Sequence, residues 1–254
     1  MNRAADDDPL GPFRRRLANQ LDFVELPWAP LDAVDVVPVE VDPDTRLYDA
    51  GDEVEELYAV TAGWLIGCSY LRNGRRYIHR IYQPGDVVGT EDTNWNYGTS
   101  SVETITACRL GRFRKEFQYT LFAGNPRLGA ALYGLSMNDQ VVLMDAARAN
   151  ARLSARDRLA HLLLQIEART RLSNAGAPGD PFEFPLNQSQ IGDATGLTNV
   201  SVSKAMVELT NEGAVSRRGT EYRLLERDRL VERSEFVDRY VITMGNWRRL
   251  LEAA

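Results

Sequence analysis

The 254 residues, 44% hydrophobic and 26% charged, carry a net charge of −6 and a pI near 5.1. That length allows two domains, each with its own core. The charge balance excludes a uniformly basic nucleic-acid coat but not a local cationic site, because screening leaves only charges within about 10 Å of a phosphate effective. Acidity gathers early, in Asp6-Asp7-Asp8 and between Asp32 and Glu56, whereas cations gather from Arg148 to Arg171 and at Arg217-Arg218. Cys68 and Cys108 have no metal-ligand spacing, and two cysteines build no disulfide framework, which points to a reducing compartment. No basic start followed by an apolar run marks a signal peptide, and no stretch approaches the roughly 18 apolar residues of a membrane span. A cytoplasmic protein without a membrane partner is expected.

Residues 1–20 are polar, carry Pro9 and Pro12, and are expected to form a mobile N-terminal arm or a loosely docked helix. Residues 21–124 have the texture of short strands: Val34–Val37, Val39–Val41, Leu57–Val60, Gly63–Ile66, Tyr77–Tyr82 and a closing run at Thr104–Leu110. Turn signals separate them, the strongest being Asn73-Gly74 between Tyr70-Leu71 and Tyr77-Ile78. Many short strands with regular turns predict a small antiparallel barrel or roll. From 125 to 150 the period becomes helical, with Leu128, Leu132, Leu135, Val142, Ala146 and Ala149 forming a narrow stripe that Asp139 interrupts. Such a stripe lies against the barrel or pairs with its copy in a second subunit; its spacing and length favour the dimer seam.

Residues 151–225 begin with a helix capped by Ser154, with Leu159, Leu162, Leu163 and Ile166 inward, followed by a loop at 173–181. From Leu186 to Gly213 the chain reads as two short helices around a tight turn. Asn187 caps the first, Gly196 supplies the bend, and Thr198 caps the second, whose Val202, Met206 and Leu209 face a core. The outer face shows Asn199, Ser201, Ser203 and Lys204, short hydrogen-bonding groups and one cation, suited to base edges in a major groove. A hairpin follows, with strands at Ala214-Val215 and Glu221–Leu225 and a charged turn from Ser216 to Thr220. Residues 226–254 form a helical tail, with Leu230, Phe236, Val237 and Tyr240 at helical spacing and a final short helix around Trp247, Leu250 and Leu251. A helical hairpin packed for stability alone would show the same core positions. The coincidence of cap, glycine, polar outer face and basic tip favours a reader of double-stranded DNA.

The segment Gly196-Leu-Thr-Asn-Val-Ser-Val-Ser-Lys-Ala-Met-Val-Glu-Leu resembles the G-L-T-x-V-x-V-[NS]-[RK]-x-[LM]-x-x-L of the Crp/Fnr family of bacterial transcription regulators, with Lys204 where Arg is commoner. Ser154-Ala-Arg-Asp-Arg-Leu-Ala-His-Leu-Leu-Leu is similar to that family's S-A-x-E-R-L-A-x-x-L-L. Gly51-Asp52, Gly63, Gly74 and Pro84–Gly89 resemble the turn positions of its roll. The resemblance covers about residues 22–240. It implies an α+β fold made of an N-terminal antiparallel β-roll of the cyclic-nucleotide-binding kind, a long dimerisation helix, and a C-terminal winged helix-turn-helix. It implies no enzymatic activity, a homodimer through 125–150, a near-palindromic DNA site, and RNA polymerase as a further candidate partner. Asn199, Ser201, Ser203 and Lys204 are then the candidates for base and adjacent phosphate contacts. Gln188, Ser189, Thr198, Arg217 and Arg218 are candidates for phosphate. Val200 replaces the glutamate of cAMP-dependent members; it touches a thymine methyl or fills space, the second being favoured.

The departures bear on the effector. In cAMP-binding members a Gly-Glu-Leu turn is followed by Arg-Ser or Arg-Thr, whose arginine neutralises the cyclic phosphate. Here Gly89–Ser101 offers acids and no cation before Arg109. A pocket at Gly89, Thr90, Glu91, Thr99 and Ser100 therefore argues against cAMP. An iron–sulfur cluster needs four thiolates, and Cys108 alone stands near a ligand position of that branch. His79 is the one roll histidine a haem could use, and a single strand histidine more often packs; Trp95 and Tyr97 line a pocket or cover a loop, the loop being favoured. No cofactor is expected; the roll either binds a small effector other than cAMP or holds the dimer in a DNA-competent state with no ligand. The rival of a different class is a nucleotide- or small-molecule-responsive interaction module whose winged helix contacts a protein partner.

Overall fold

A computed structural model describes residues 8–21 and 28–240. Their contacts define two compact units. The first combines the described residues up to Gly67 with Ile81–Asn138, and the second combines Cys68–Arg80 with Asp139–Tyr240. The boundary falls inside the long helix rather than at its ends.

Helix α1, Gly11–Gln20, opens with Pro12 in its first turn, where a missing N–H costs nothing. Its Leu17 is buried with Leu21, Leu31, Leu121, Leu128 and Ala131. Of the two readings of residues 1–20, a mobile arm or a docked helix, residues 11–20 take the second; residues 1–7 lie outside the described residues. After the single turn α2, Ala29–Asp32, come eight strands: β1 Val37–Val41, β2 Arg46–Tyr48, β3 Glu56–Ala62, β4 Leu65–Tyr70, β5 Arg76–Tyr82, β6 Val87–Val88, β7 Ser101–Thr104 and β8 Cys108–Arg114. They form two four-stranded sheets, ordered β1-β8-β3-β6 and β2-β7-β4-β5. Every pairing recorded within these sheets is antiparallel. Alternation along each strand turns Tyr48, Val60, Leu65, Tyr82, Val88, Val102, Cys108 and Leu110 into one core shared by both sheets. The roll is as expected. Of the strand expected over Thr104–Leu110, Thr104 ends β7 and residues 108–110 open β8, while residues 105–107 are the turn between them, held by the Ile105 N–H donating to the Trp64 carbonyl at 2.7 Å. The apolar runs at Val34–Val37 and Val39–Val41 supply one strand, β1, in which the edge position of Pro38 costs no ladder bond.

Helix α3, Phe117–Gly124, leads into α4, Pro126–Arg152, of 27 residues. The stripe assigned to a dimer seam behaves differently. Leu128 is fully buried within its own chain, and Leu132 and Leu135 pack against the same cluster. A second stripe, Tyr133, Met137, Val141 and Met144, is left exposed along the same helix.

In the second unit, α5 (Ala155–Asn174) is capped by Ser154, whose hydroxyl accepts the Asp157 N–H at 3.2 Å. Leu159, Leu163, Leu164 and Ile166 are buried on it. Strand β9, Phe182–Glu183, precedes α6, Gln188–Thr195, and α7, Asn199–Asn211. Strands β10, Val215–Arg218, and β11, Glu221–Leu224, follow, and the three strands make a sheet ordered β10-β11-β9. Helix α8, Arg227–Ser234, ends at Glu235 with φ +49°, so residues 236–240 do not continue the helix their spacing suggested. Phe236 and Tyr240 are nevertheless buried. Ion pairs join Glu235 to Arg148, Asp238 to Arg171 and Arg239 to Asp145. The last expected helix, around Trp247, lies outside the described residues.

Candidate nucleic-acid interface

The two-helix element is assembled by local hydrogen bonds that its sequence specifies. Asn187 accepts the Gln190 N–H at 3.0 Å, while the Gln190 side chain accepts the Asn187 N–H at 2.8 Å, a reciprocal capping box. Helix α6 closes on Gly196 at φ +70°. The turn also requires a second glycine: a Cβ on Gly192 would lie 2.6 Å from the Leu197 carbonyl oxygen. Thr198 then caps α7, accepting the Ser201 N–H at 3.2 Å, and the two hydroxyls lie 3.0 Å apart. Val202, Met206 and Leu209 are buried, as expected, together with Ala205.

With the inner face fixed, the outer face is defined. Gln188, Ser189, Thr198, Asn199, Val200 and Lys204 are exposed, and Ser201 and Ser203 are half-buried. The Ser201 hydroxyl is turned toward the cap, so it is a weaker candidate for a base than Asn199, Ser203 or Lys204. Val200 is 78% exposed, which corrects the space-filling role favoured from sequence. Lys204 shares a cleft of about 470 Å³ with Ser154, Ala155, Arg156, Ser201, Ala205 and Glu208.

The wing differs from its expected form. Strand β10 continues through Arg217 and Arg218, opposite Tyr222 and Glu221, and the turn is only Gly219-Thr220. Both arginines are therefore carried on a strand, not in the turn. Arg217 lies over the Tyr222 ring, 5.2 Å from its centroid, and its Nε donates to the Gly219 carbonyl at 2.9 Å. Burial raises the Tyr222 phenol above its usual pKa, and Arg217 offsets this only in part. Phe182 stacks on Tyr222, so the segment before the helix-turn-helix is the third strand of the wing, a role its short polar context concealed.

Electrostatic accounting separates two kinds of cation in this unit. Arg233 pairs with Glu212 and Asp157 at 2.8 and 3.0 Å, Arg156 pairs with Glu212 at 2.5 Å, and Arg227 pairs with Glu167 at 3.3 Å. Lys204, Arg217 and Arg218 have no carboxylate partner among the described residues and stand exposed. Cations left without an internal partner are the ones available to phosphate.

The second candidate site, in the roll, is built the other way. Gly89, at φ +89°, begins a 3-10 turn at Thr90–Asp92. The Asp92 carboxylate, fully buried, accepts the Thr99 N–H at 2.7 Å, the Thr99 hydroxyl at 2.6 Å and the Tyr48 hydroxyl at 3.1 Å. Burial and these acids hold the Tyr48 phenol far above its usual pKa. The Tyr82 hydroxyl donates to Glu91, and the exposed Thr90 hydroxyl lies 3.3 Å from the same carboxylate. Ser100 is buried. Lys115, a cation that sequence reasoning missed, donates to the Val54 and Trp95 carbonyls at 2.7 and 2.9 Å. Trp95 and Tyr97 are half exposed with ring centroids 5.8 Å apart. Asp92 and Lys115 were both absent from the sequence-derived pocket; the adjacent acids Glu91-Asp92 were the one available signal. Among the described residues no cluster of metal-ligating side chains occurs, and no helix is long and apolar enough to cross a membrane.

A two-sheet roll, a long helix and a capped helix-turn-helix with a three-stranded wing together define a DNA-binding transcription regulator. Comparison with known proteins agrees part by part. Residues 38–125 match the cyclic nucleotide-binding domain, and residues 157–233 match the Crp-like helix-turn-helix domain. The nitrogen fixation regulation protein FixK of Azorhizobium caulinodans is 29% identical over 186 residues, 73% of each chain. The fumarate and nitrate reduction regulatory protein of Vibrio cholerae is 24% identical over 191 residues, 74% of each chain. The structure of FixK2 from Bradyrhizobium japonicum superimposes with a TM-score of 0.70 at 22% identity, covering 80% of this chain and 98% of that one. The chain belongs to the Crp/Fnr family of transcription regulators.

Proposed function

We propose that the protein works in the cytoplasm as a homodimer joined along α4, placing two copies of α7 in successive major grooves about 34 Å apart on a near-palindromic site. It does so without cAMP, an iron–sulfur cluster or haem, and RNA polymerase is the further partner this role implies. The observation that carries the dimer is the exposed stripe Tyr133, Met137, Val141 and Met144, spaced four, four and three along one helix. A helix with such a face has apolar surface that the described residues leave open, and a second copy covers it in register.

Independence from cAMP is supported by the filled roll. The Thr99 donors that could meet a phosphate already serve Asp92, and an anion there would face that carboxylate rather than a cation. A cluster needs four thiolates. Cys68 and Cys108 are the chain's only two, both buried, and burial pushes the Cys108 thiol up to about 11. His79 sits half-buried beside Tyr77, with ring centroids 6.4 Å apart, as a packed strand residue would.

Selection from random duplex DNA with purified, ligand-free protein at two salt concentrations tests this function. The expected outcome is a two-fold symmetric site whose affinity falls steeply with salt and is unchanged by added cAMP. Enrichment only in the presence of cAMP would overturn the effector-free reading, and enrichment of a single half-site would overturn the dimer.

A further inference from the structure

Val200 stands in the first turn of α7, the part of a recognition helix that meets base edges. It is 78% exposed, and nothing in the fold is gained by placing a bare, β-branched side chain there. Its neighbours on the same outer face, Asn199, Ser203 and Lys204, are all polar. An isopropyl group offers no donor and no acceptor. Set against the amino group of adenine or cytosine, or the oxygen and nitrogen acceptors of guanine, it would remove water from those atoms without replacing the lost hydrogen bond. One feature of the major-groove floor rewards such a group, the 5-methyl of thymine. The stiff χ1 of a β-branched residue also fixes both methyls in the helix frame, so the contact costs little side-chain entropy.

We propose that Val200 is a specificity-determining residue that contacts the thymine 5-methyl group at one position of each half-site. Lys204 lies one turn further along the same face, about 6 Å down the axis. Its ammonium suits guanine O6 and N7. The half-site then contains a thymine and a guanine within two base pairs of each other. This assignment rests on the DNA-reading role of α7.

The test replaces each thymine of the selected site, in turn, by deoxyuridine, which removes the methyl and nothing else. For the unaltered protein, affinity falls about fourfold at one position per half-site, the size expected of one buried methyl, and roughly fifteenfold when both half-sites are changed. Val200→Ser binds the thymine and deoxyuridine duplexes alike at that position. Val207→Ser, the same kind of change at another exposed valine of α7, keeps the preference. Circular dichroism of both variants confirms an intact helix. Indifference of the unaltered protein to every methyl, or a preference that survives Val200→Ser, overturns the assignment while leaving DNA binding intact. A protein that enriches no duplex overturns both.

Discussion

The recognition helix and the loop from Gly89 to Ser101 are written in much the same alphabet of Thr, Ser, Asn and a few charges, and use it in opposite ways. In the helix, Thr198 and Ser201 satisfy each other at the cap, leaving Asn199, Ser203 and Lys204 outward with unspent hydrogen-bonding capacity. In the loop, Asp92 draws Thr99 and Tyr48 onto itself, Glu91 takes the Tyr82 hydroxyl, and Lys115 is committed to two carbonyls. Polar composition therefore does not separate a binding surface from a filled one. What separates them is where each donor and acceptor has gone.

Four substitutions would break or sharpen that contrast. The largest effect is expected on the filled side. Asp92→Ala leaves the Thr99 N–H, the Thr99 hydroxyl and the Tyr48 hydroxyl without their acceptor, and should lower roll stability by about 3 kcal/mol in urea denaturation. A loss below 0.5 kcal/mol would mean the loop is not held by that carboxylate. On the open side, Lys204→Ala should leave stability unchanged and weaken binding to the selected site by about 1–3 kcal/mol in a titration. Unchanged affinity would rule out the docking of α7 described above. Arg217→Ala should weaken binding to all sequences alike and reduce the salt slope by about one unit, because a phosphate contact carries no sequence information.

The smallest effect concerns His161, buried on α5 against Phe236 with ring centroids 5.4 Å apart. Burial holds its pKa below the usual 6.5, and the Ser234 carbonyl offsets this only in part. Between the lowered folded value and 6.5 the unfolded chain holds the extra proton, so stability falls as pH drops below about 6.5 and is flat above it. His161→Gln should remove that component from the pH dependence of the urea midpoint. An identical profile in the variant would assign the slope to the carboxylates instead.

The helix-turn-helix was legible because its determinants are local. Asn187, Gly196 and Thr198 each act within four residues of their own position, and the periodic Val202, Met206 and Leu209 report the buried face directly. Gly192 was missed because its reason is a carbonyl five residues away, visible only once the turn is folded. The strand texture of the roll was legible too, but not its loops. Asp92 meets Tyr48 across forty-four residues, and no sequence period records such a contact. Helix α4 misled for a related reason. It carries two apolar stripes, and the better-patterned one, Leu128, Leu132 and Leu135, is spent within the chain, leaving the mixed Tyr-Met-Val face outside. Val200 shows the converse error: an apolar residue on a helix was read as filler because burial is the usual fate of valine.

The distribution of indole rings has a practical consequence. Of the four tryptophans, Trp28, Trp64 and Trp95 are described and belong to the first unit, Trp247 lies outside the described residues, and the second unit, with the recognition helix and wing, contains none. Trp95 is half exposed on the loop whose carbonyl Lys115 holds, whereas Trp64 is buried. Emission from the three described indoles thus watches the first unit. A compound that opens the Gly89–Ser101 loop would shift the fluorescence of Trp95 directly, whereas a duplex seated on α7 meets no indole there. Light from these three described indoles can therefore distinguish a molecule that enters the roll from one that seats on α7.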